Sequence, residues 1–138
     1  MRALTVRQPW AGAIIWRGKD VENRTRNIAG AYRGPVAIHV SLRHDYSAVE
    51  AHDAVCGGID QHSIYGYGAF IGVVDLVDVH EAAPFDCGSE WAEFEFGRRT
   101  VHLVLANPRP LPEPIPCKGR LGLWTPPAEI LEQLQAVL

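Results

Sequence analysis

Apolar and polar residues alternate along several stretches of the chain, which is the pattern of half-buried β-strands. Ala3 to Val6 is the first stretch, and Arg33 to Ser41 is the clearest, with Val36, Ile38 and Val40 on one face of the predicted strand. The remaining predicted strands are Asp20–Asn27, Gly68–Glu81, Thr100–Asn107 and Arg120–Pro127. Five or six short strands therefore provide the framework of the fold.

Three segments have the spacing of helices. In the first, Trp10, Ile14 and Arg17 lie at positions i, i+4 and i+7, which predicts one buried apolar face. Pro9 suits the first helical position, and Gly18 suits the residue after the end. The other two predicted helices are His44–Gly58 and the amphipathic segment Pro127–Leu138.

Two segments fit neither pattern. Pro108 to Gly119 has too many prolines for a central strand and is predicted to run extended along a sheet edge. Pro84 to Arg99 is predicted to be a loop with one helical turn, and Gly72 marks a bulge or a close backbone approach. The strands and helices together predict an α+β fold, a small, mixed, mostly antiparallel β-barrel with two or three flanking helices.

Length and composition predict a single domain that spans residues 1–138. No apolar run approaches the roughly 18 residues of a membrane span, and the N-terminal segment lacks an apolar signal core. We therefore expect no membrane partner and a cytoplasmic location. The three cysteines are odd in number and lack paired spacing, which fits reduced thiols better than a disulfide framework.

The charge of the chain is unevenly distributed. The net charge of −3 disfavours a generic nucleic-acid binder. Residues 1–46, however, contain eight basic and three acidic residues, a balance of +5, whereas the remainder has a balance of −8. This asymmetry predicts a basic face on an acidic body, unless the two parts of the sequence do not correspond to faces of the fold.

Four motifs in order resemble those of ASCH domains, within the PUA-like superfamily. They are VRQPWAGAIIWRGKDVENR, RGPVAIHVS, GAFIGVVDLVDV and CKGRLGLW, and together they span about residues 3–125. The resemblance implies a pseudo-barrel with a cleft between the first helix and the barrel. It also implies binding of nucleic acid, RNA above all, with some members binding at modified bases and some relatives implicated in RNA cleavage.

One branch of that family hydrolyses N4-acetylcytidine through Lys, Thr and Glu. Lys19 matches its lysine, whereas Glu22 stands where that branch has threonine. Lys19 and Glu22 are the candidate catalytic residues, since a lysine beside a carboxylate can transfer protons or hold a phosphate. The alternative is a surface ion pair. One acid of the cluster Glu90, Glu93 and Glu95 can complete such a site, although a solvated acidic face is the simpler interpretation.

Basic residues supply the predicted phosphate contacts. Arg24 lies in the first motif and can fork onto a phosphate or a base edge, and Arg26 extends the same strand face. Arg33 precedes a glycine that permits close backbone approach, which suits a phosphate clamp. The alternative is that these arginines are solvated strand residues. In the closing motif, Lys118 joins the basic set, and Trp124 seals the core or floors the cleft.

Other residues are candidate base contacts. Gln8 can contact a base edge through its amide, and Trp16 can stack on an unpaired base, whereas Trp10 is first a packing residue. His39 and Ser41 share a strand face as hydrogen-bonding cleft or core residues, and no acid is placed to make them a nucleophile pair. The predicted nucleic-acid-binding set is Gln8, Trp10, Trp16, Lys19, Arg24, Arg26, Arg33, His39, Ser41, Lys118 and Trp124.

The favoured function is nucleic-acid binding, with single-stranded RNA preferred and DNA as the second choice. One alternative is a small RNA-processing enzyme, either a ribonuclease or an amidohydrolase on a modified nucleoside. Another is a protein-interaction module that docks a partner on the Pro108–Pro116 edge. No cofactor or metal site is predicted, because His52, Cys56 and His62 lack the paired spacing of zinc ligands. If the chain is a nuclease, a divalent metal ion can take part in the cleavage.

Overall fold

The computed structural model of the protein describes residues 1–48 and 61–138. The strands in these ranges are β1 (Arg2–Gln8), β2 (Val21–Arg24), β3 (Gly34–His44), β4 (Ala69–Glu81), β5 (Val101–Pro116) and β6 (Leu123–Trp124). The helices are α1 (Trp10–Trp16), α2 (Ala128–Gln135) and the 3₁₀ segments Tyr46–Ala48 and Gln61–Ile64. Most of the helix predicted at His44–Gly58 lies outside the described residues, and its first residue, His44, ends β3 instead.

The strands form one mixed sheet in the order β2-β5-β4-β3-β1-β6. β1 and β3 are parallel, with Arg2 opposite Val36 and Gln8 opposite His44, and the other neighbouring pairs are antiparallel. The sheet curls into a half-barrel with the two α-helices beside it. The predicted α+β fold, mostly antiparallel with flanking helices, is confirmed.

The sheet is buried on both faces at β3. Val36, Ile38 and Val40 belong to the main apolar cluster together with Ile14 of α1. Ala37, on the opposite face, belongs to a second cluster that includes residues of α2 and β6. Apart from the buried His39, the polar residues of β3 therefore lie at its C-terminal end, Ser41–His44.

α1 differs from the predicted amphipathic helix. Five consecutive residues, Ala11–Ile15, are buried, and Arg17 at the end of the predicted apolar face is exposed. This short helix packs against both the sheet and residues 61–64, so little of it faces solvent. The one-sided burial predicted from its periodicity is therefore wrong. Pro9 is the N-cap of the helix and does not occupy its first turn. Gly18 follows the C-cap with a φ of +74°, a left-handed conformation that favours glycine, as predicted.

Gly72 lies both at a bulge and at a close backbone approach, the two features predicted for it. The β4–β5 register shifts between Phe70 and Gly72, and an added Cβ at Gly72 would lie 2.6 Å from Ile15 Cδ1 and 2.8 Å from the Arg109 carbonyl oxygen. The proline-rich segment forms the second half of β5. β2 pairs only with the first residues of β5, Val101–Val104. Its proline-containing part pairs with β4 alone, so the predicted edge position is confirmed.

Two further predictions need correction. The strand predicted at Asp20–Asn27 ends at Arg24, so Arg26 lies beyond β2. The segment Pro84–Arg99 contains turns and an isolated bridge between Glu95 and Arg98 but no helical turn. Among the described residues, none of the helices is both long enough and apolar enough to cross a membrane.

Candidate functional site

Lys19 lies in the short connection between α1 and β2, and its side chain is buried. Gly18 turns the chain out of the helix, and the Lys19 backbone N–H donates to the carbonyl oxygen of Ala13. The ammonium group donates to the Val21 carbonyl oxygen at 2.6 Å and lies 3.7 Å from Glu22 Oε1. Lys19 is only 5% exposed and Glu22 only 7%, so this is a buried ion pair and not a surface one.

Glu22 is shared between two cations. Its other carboxylate oxygen, Oε2, accepts a hydrogen bond from Arg24 Nε at 3.1 Å and lies 2.9 Å from Arg24 Nη2. The same Nη2 also donates to the carbonyl oxygen of Thr5 on β1. Glu22 and Arg24 alternate along β2 and therefore share a face of that strand. The network therefore connects β2 to β1, two strands that are not neighbours in the sheet.

Two tryptophans frame the Lys19 ammonium group. Nζ lies 5.1 Å from the Trp10 ring centre and 5.6 Å from that of Trp91. The two rings meet edge to face, with centroids 6.3 Å apart and an interplanar angle of 87°. Trp10 Nε1 donates to Asp45 Oδ2 at 3.2 Å, which fixes the orientation of its ring. Lys19 is therefore held by aromatic faces as well as by a carboxylate.

Burial lowers the pKa of the Lys19 amine below its ordinary value of 10.5. The negative charges of Glu22 and Glu93, and a weaker contribution from Asp20, oppose that shift without cancelling it. A desolvated lysine beside a carboxylate is the environment in which amines act as proton carriers at active sites. The connection between α1 and β2 is therefore chemically distinct from an ordinary solvated turn.

A continuous cleft opens from this pair to the protein surface. The inner part, about 350 Å³, is lined by Lys19, the two tryptophans and several acids. The outer part, about 820 Å³, shares Trp10, Glu22, Asn23 and Asp45 with it. The charged residues of the inner part are Lys19, Glu22, Asp45, Glu90 and Glu93. The charged residues of the outer part are Arg7, Glu22, Arg24, Arg43, Asp45 and Arg120. The cleft is therefore acidic at its inner end and basic at its mouth.

Asn23 holds one wall of the inner cleft in place. Its side-chain amide donates to the Trp91 carbonyl oxygen at 2.9 Å, and its Oδ1 accepts the Glu93 backbone N–H at 2.9 Å. A second contact joins Ser89 Oγ, the donor, to Asp20 Oδ1. The loop that carries Trp91 is thus attached to the connection that carries Lys19, although the two are far apart in sequence.

Gln8 is fully buried and lines neither part of the cleft. Its amide nitrogen donates to the carbonyl oxygens of His62 and Tyr65, and its amide oxygen accepts the Gly12 backbone N–H. These bonds attach β1 and α1 to residues 61–65 behind the cleft. The predicted base contact by Gln8 gains no support from this position.

Three other predicted contacts lie apart from the cleft. Trp16 stacks on His62, with ring centroids 4.1 Å apart, beside Pro110 and Leu111 of β5. Arg33 precedes β3 at the end of the sheet opposite the cleft, where it donates to backbone carbonyls. Arg26 is exposed beyond the end of β2 and is not among the residues that line the described cleft.

His39 and Trp124 form a buried relay behind the cleft. Trp124 Nε1 donates to Thr5 Oγ1, and the Thr5 hydroxyl donates to His39 Nδ1, both at 3.3 Å. His39 Nε2 in turn donates to the Cys117 carbonyl oxygen at 2.6 Å. Burial lowers the pKa of His39, so the neutral ring fits this chain of donors. His39 is a satisfied core residue at the edge of the cleft rather than part of a nucleophile pair.

Ser41 lines the outer cleft, and together with Lys118 it also lines a shallower hollow of about 540 Å³ beside that cleft. Arg43 and Arg120 border both spaces, so the two are continuous. Ser41 Oγ accepts the backbone N–H of Arg43. Lys118 is exposed, as a contact to a diffusible partner requires.

Several residues of the cleft were not singled out from the sequence. Trp91 lies in the irregular segment after β4, where no periodicity assigns a direction to a side chain. Asp45 and Arg43 follow a strand whose predicted end was Ser41, and Arg7 follows one whose predicted end was Val6. Had β1 been predicted to reach Arg7 and β3 to reach Arg43, both arginines would have been placed at the same end of the sheet, because the two strands are parallel.

Comparisons with known proteins support the fold. No protein-family model matches the sequence, and no curated protein matches it significantly. Among solved structures, the chain is similar to a crystal structure of a mutant of ZmASCH from Zymomonas mobilis. The match covers 99% of this chain and 96% of the other, with 14% sequence identity and a TM-score of 0.58. The chain therefore has the fold of an ASCH domain protein, as its motifs implied.

Proposed function

We propose that this chain binds single-stranded nucleic acid, RNA in preference to DNA, in the cleft beside α1. The observation that carries the proposal is the arrangement of charge along that cleft. Its mouth has four arginines, Arg7, Arg24, Arg43 and Arg120, against two acids, and they surround the entrance to an aromatic recess. Guanidinium groups hold phosphates in forked geometry, and aromatic rings stack on unpaired bases.

The shape of the cleft favours an unpaired strand. The inner recess is lined by Trp10 and Trp91, and it shares Trp10, Glu22, Asn23 and Asp45 with the outer part of the cleft. A base within a duplex is stacked and paired, so it cannot enter such a recess without being extruded. A single strand can place one base inside while its phosphates lie along the arginine mouth.

The chemistry of the recess indicates which bases fit. Glu90 and Glu93 present carboxylates, and Glu22 is held close by. Carboxylates accept hydrogen bonds from exocyclic amino groups, as an acidic side chain does from cytosine N4. Acceptors dominate the recess, because the Lys19 ammonium is already bonded to Val21 and paired with Glu22. We therefore expect preference for a base that carries an amino or amide N–H donor.

The second candidate function is hydrolysis of a modified nucleoside. The observation that favours it is the desolvated Lys19 beside Glu22 at the inner end of the recess. Such a pair can exchange a proton with a bound water or with a leaving amine. An amide on the exocyclic nitrogen of a base, as in N4-acetylcytidine, would present both the N–H donor and the bond to be cleaved. Cleavage of the RNA backbone is the other reaction that this pair could support.

Binding and turnover are separated by one experiment. End-labelled single-stranded RNA is incubated with wild type and with Lys19→Ala, with Mn²⁺ or with a chelator, and run on native and denaturing gels. The binding function predicts a mobility shift with intact RNA. RNA shortening that Lys19→Ala abolishes, while affinity stays within about tenfold, would establish catalysis. N4-acetylcytidine, followed by chromatography, tests the amidohydrolase in the same way. No shift and no turnover would reject both functions.

A further inference from the structure

Four potential metal ligands converge at the far side of the loop that carries Trp91. They are His80 of β4, Asp86 and Cys87 of the following loop, and His102 of β5, and their ligand atoms all lie within 4.8 Å of one another. Cys87 Sγ is 3.0 Å from both His80 Nε2 and His102 Nδ1. Asp86 Oδ2 is 3.0 Å from His80 Nε2 and 3.3 Å from His102 Nδ1.

The outer nitrogen of each histidine has its own acceptor. His102 Nε2 donates to the Glu93 carbonyl oxygen at 2.7 Å, and His80 Nδ1 donates to Asp78 Oδ2 at 3.1 Å. In the neutral rings these bonds leave His102 Nδ1 and His80 Nε2 without hydrogen, and both point into the cluster. A carboxylate or carbonyl behind each histidine is the usual outer support of a metal-bound imidazole.

The cluster has more acceptors than hydrogens to share. Its four inner atoms are two imidazole nitrogens, a carboxylate oxygen and a sulfur, and only the Cys87 thiol brings a hydrogen. The two nitrogens are 3.3 Å apart, so their lone pairs face each other. A cation at the centre would satisfy all four atoms at once. We infer that His80, Asp86, Cys87 and His102 form a zinc site.

The donor set and spacing fit Zn²⁺. Nitrogen, sulfur and carboxylate oxygen are its protein ligands, and four of them make a closed tetrahedral site. For tetrahedral zinc the expected separations are about 3.3 Å between nitrogens and about 3.6 Å between nitrogen and sulfur. The observed nitrogen–nitrogen separation of 3.3 Å matches this geometry, and the two nitrogen–sulfur separations of 3.0 Å lengthen by about 0.6 Å when the ion binds. A thiolate, a carboxylate and two neutral imidazoles also balance the charge of the ion.

Cys87 binds zinc as a thiolate. When Zn²⁺ binds, the S–H bond breaks, the sulfur–zinc bond forms and the proton leaves to the buffer, with no change of oxidation state.

The position of the site gives it a consequence for the cleft. Glu93, whose carbonyl oxygen accepts the His102 bond, is also held by Asn23 and lines the inner recess with Trp91. A metal that fixes His102 therefore steadies the loop that forms one wall of the cleft. The site is a structural clamp, and its metal binding is tested without nucleic acid.

Zinc binding is measured on the full chain after chelator treatment, by competition with a colorimetric zinc chelator and by Co²⁺ substitution. We expect one Zn²⁺ per chain, a higher melting temperature with Zn²⁺, and a thiolate-to-cobalt charge-transfer band. Cys87→Ser should abolish that band, whereas the matched changes Cys117→Ser and Cys56→Ser should retain it. If Cys87→Ser fails to fold, Asp78→Asn, which alters only the exposed outer support, should weaken zinc affinity by about tenfold or more.

Three results would overturn the inference. The first is no Zn²⁺ or Co²⁺ bound by the folded wild type. The second is a cobalt band that survives Cys87→Ser and disappears with Cys56→Ser, which would place the metal elsewhere. The third is unchanged zinc affinity in Asp78→Asn. None of these results depends on RNA binding, so they do not bear on the proposed function.

Discussion

Trp10 and Trp91 meet edge to face over the Lys19 ammonium group, with ring centroids 6.3 Å apart. One ring begins α1, and the other lies in the irregular loop between β4 and β5. Both rings line the inner cleft, and their contact joins the first motif of the chain to a segment distant in sequence. The Lys19 ammonium group is therefore buried between two rings that come from distant parts of the sequence.

Removing either member of the buried pair should destabilise the protein by different amounts. Lys19→Met leaves Glu22 paired with Arg24, whereas Glu22→Gln leaves two cations close together with no carboxylate between them. We expect Glu22→Gln to cost about 3 kcal/mol or more, the range for an unpaired buried charge, and Lys19→Met to cost less. Urea unfolding of the two variants measures the difference, and an equal or reversed order would contradict the described pairing.

Stability should increase with pH in the alkaline range because of Lys19. Its folded-state pKa is lowered from 10.5 by burial, so above that lowered pKa the unfolded chain binds more protons than the folded one. The cost of burying the charge is present at lower pH and is relieved as pH rises towards 10.5. Wild type should therefore gain unfolding free energy relative to Lys19→Met over this range, as measured by urea unfolding at several pH values. A difference that stays constant with pH would contradict the lowered pKa.

Asn23→Ala should loosen the wall of the cleft without unfolding the sheet. The change removes two hydrogen bonds to the backbone of Trp91 and Glu93, and we expect a decrease of about 1–3 kcal/mol in unfolding free energy. Hydrogen exchange should accelerate at residues 89–93 and stay unchanged in β3 and β4. Acceleration that is uniform over the whole chain would show that Asn23 supports the fold and not the loop.

Trp10 should respond directly to a bound base. It is half-buried and lines both parts of the cleft. We expect Trp10→Ala to weaken single-stranded RNA binding by about 1–3 kcal/mol, the usual contribution of one stacked base. Trp16→Ala is the matched control, because Trp16 packs on His62 away from the cleft. RNA affinity is measured by filter binding. An equal loss of affinity in both variants would contradict the placement of a base in the recess.

The sequence predicted the regular parts of the fold better than the irregular ones. The alternation in β3 and the prolines of β5 constrain side chains locally, so the strands followed from pattern. Lys19, Glu22 and Arg24 were placed together because they lie in one motif. Trp91 was missed because its position depends on hydrogen bonds from Asn23, a contact that leaves no periodicity in the sequence.

The metal ligands were missed for a similar reason. His80, Cys87 and His102 have none of the short paired spacings that identify zinc sites, because two of them come from neighbouring antiparallel strands. His80 and His102 face each other only through the β4–β5 register, which the sequence alone did not specify. Gln8 illustrates the opposite error, since an amide in a matching motif proved to be a buried connector.

The central claim is that the cleft mouth holds the phosphates of a single strand, and the salt dependence of binding tests it most directly. Arg7→Ala/Arg43→Ala removes two charges at the cleft end of β1 and β3. Arg2→Ala/Arg33→Ala removes two at the opposite end of the same strands. Fluorescence anisotropy with labelled single-stranded RNA is recorded at several salt concentrations. We predict weaker binding in the first variant, with a log–log salt slope reduced by about 0.7 for each phosphate that is no longer neutralised, and no change in the second. Equal effects in both variants, or no binding by the wild type, would contradict the account.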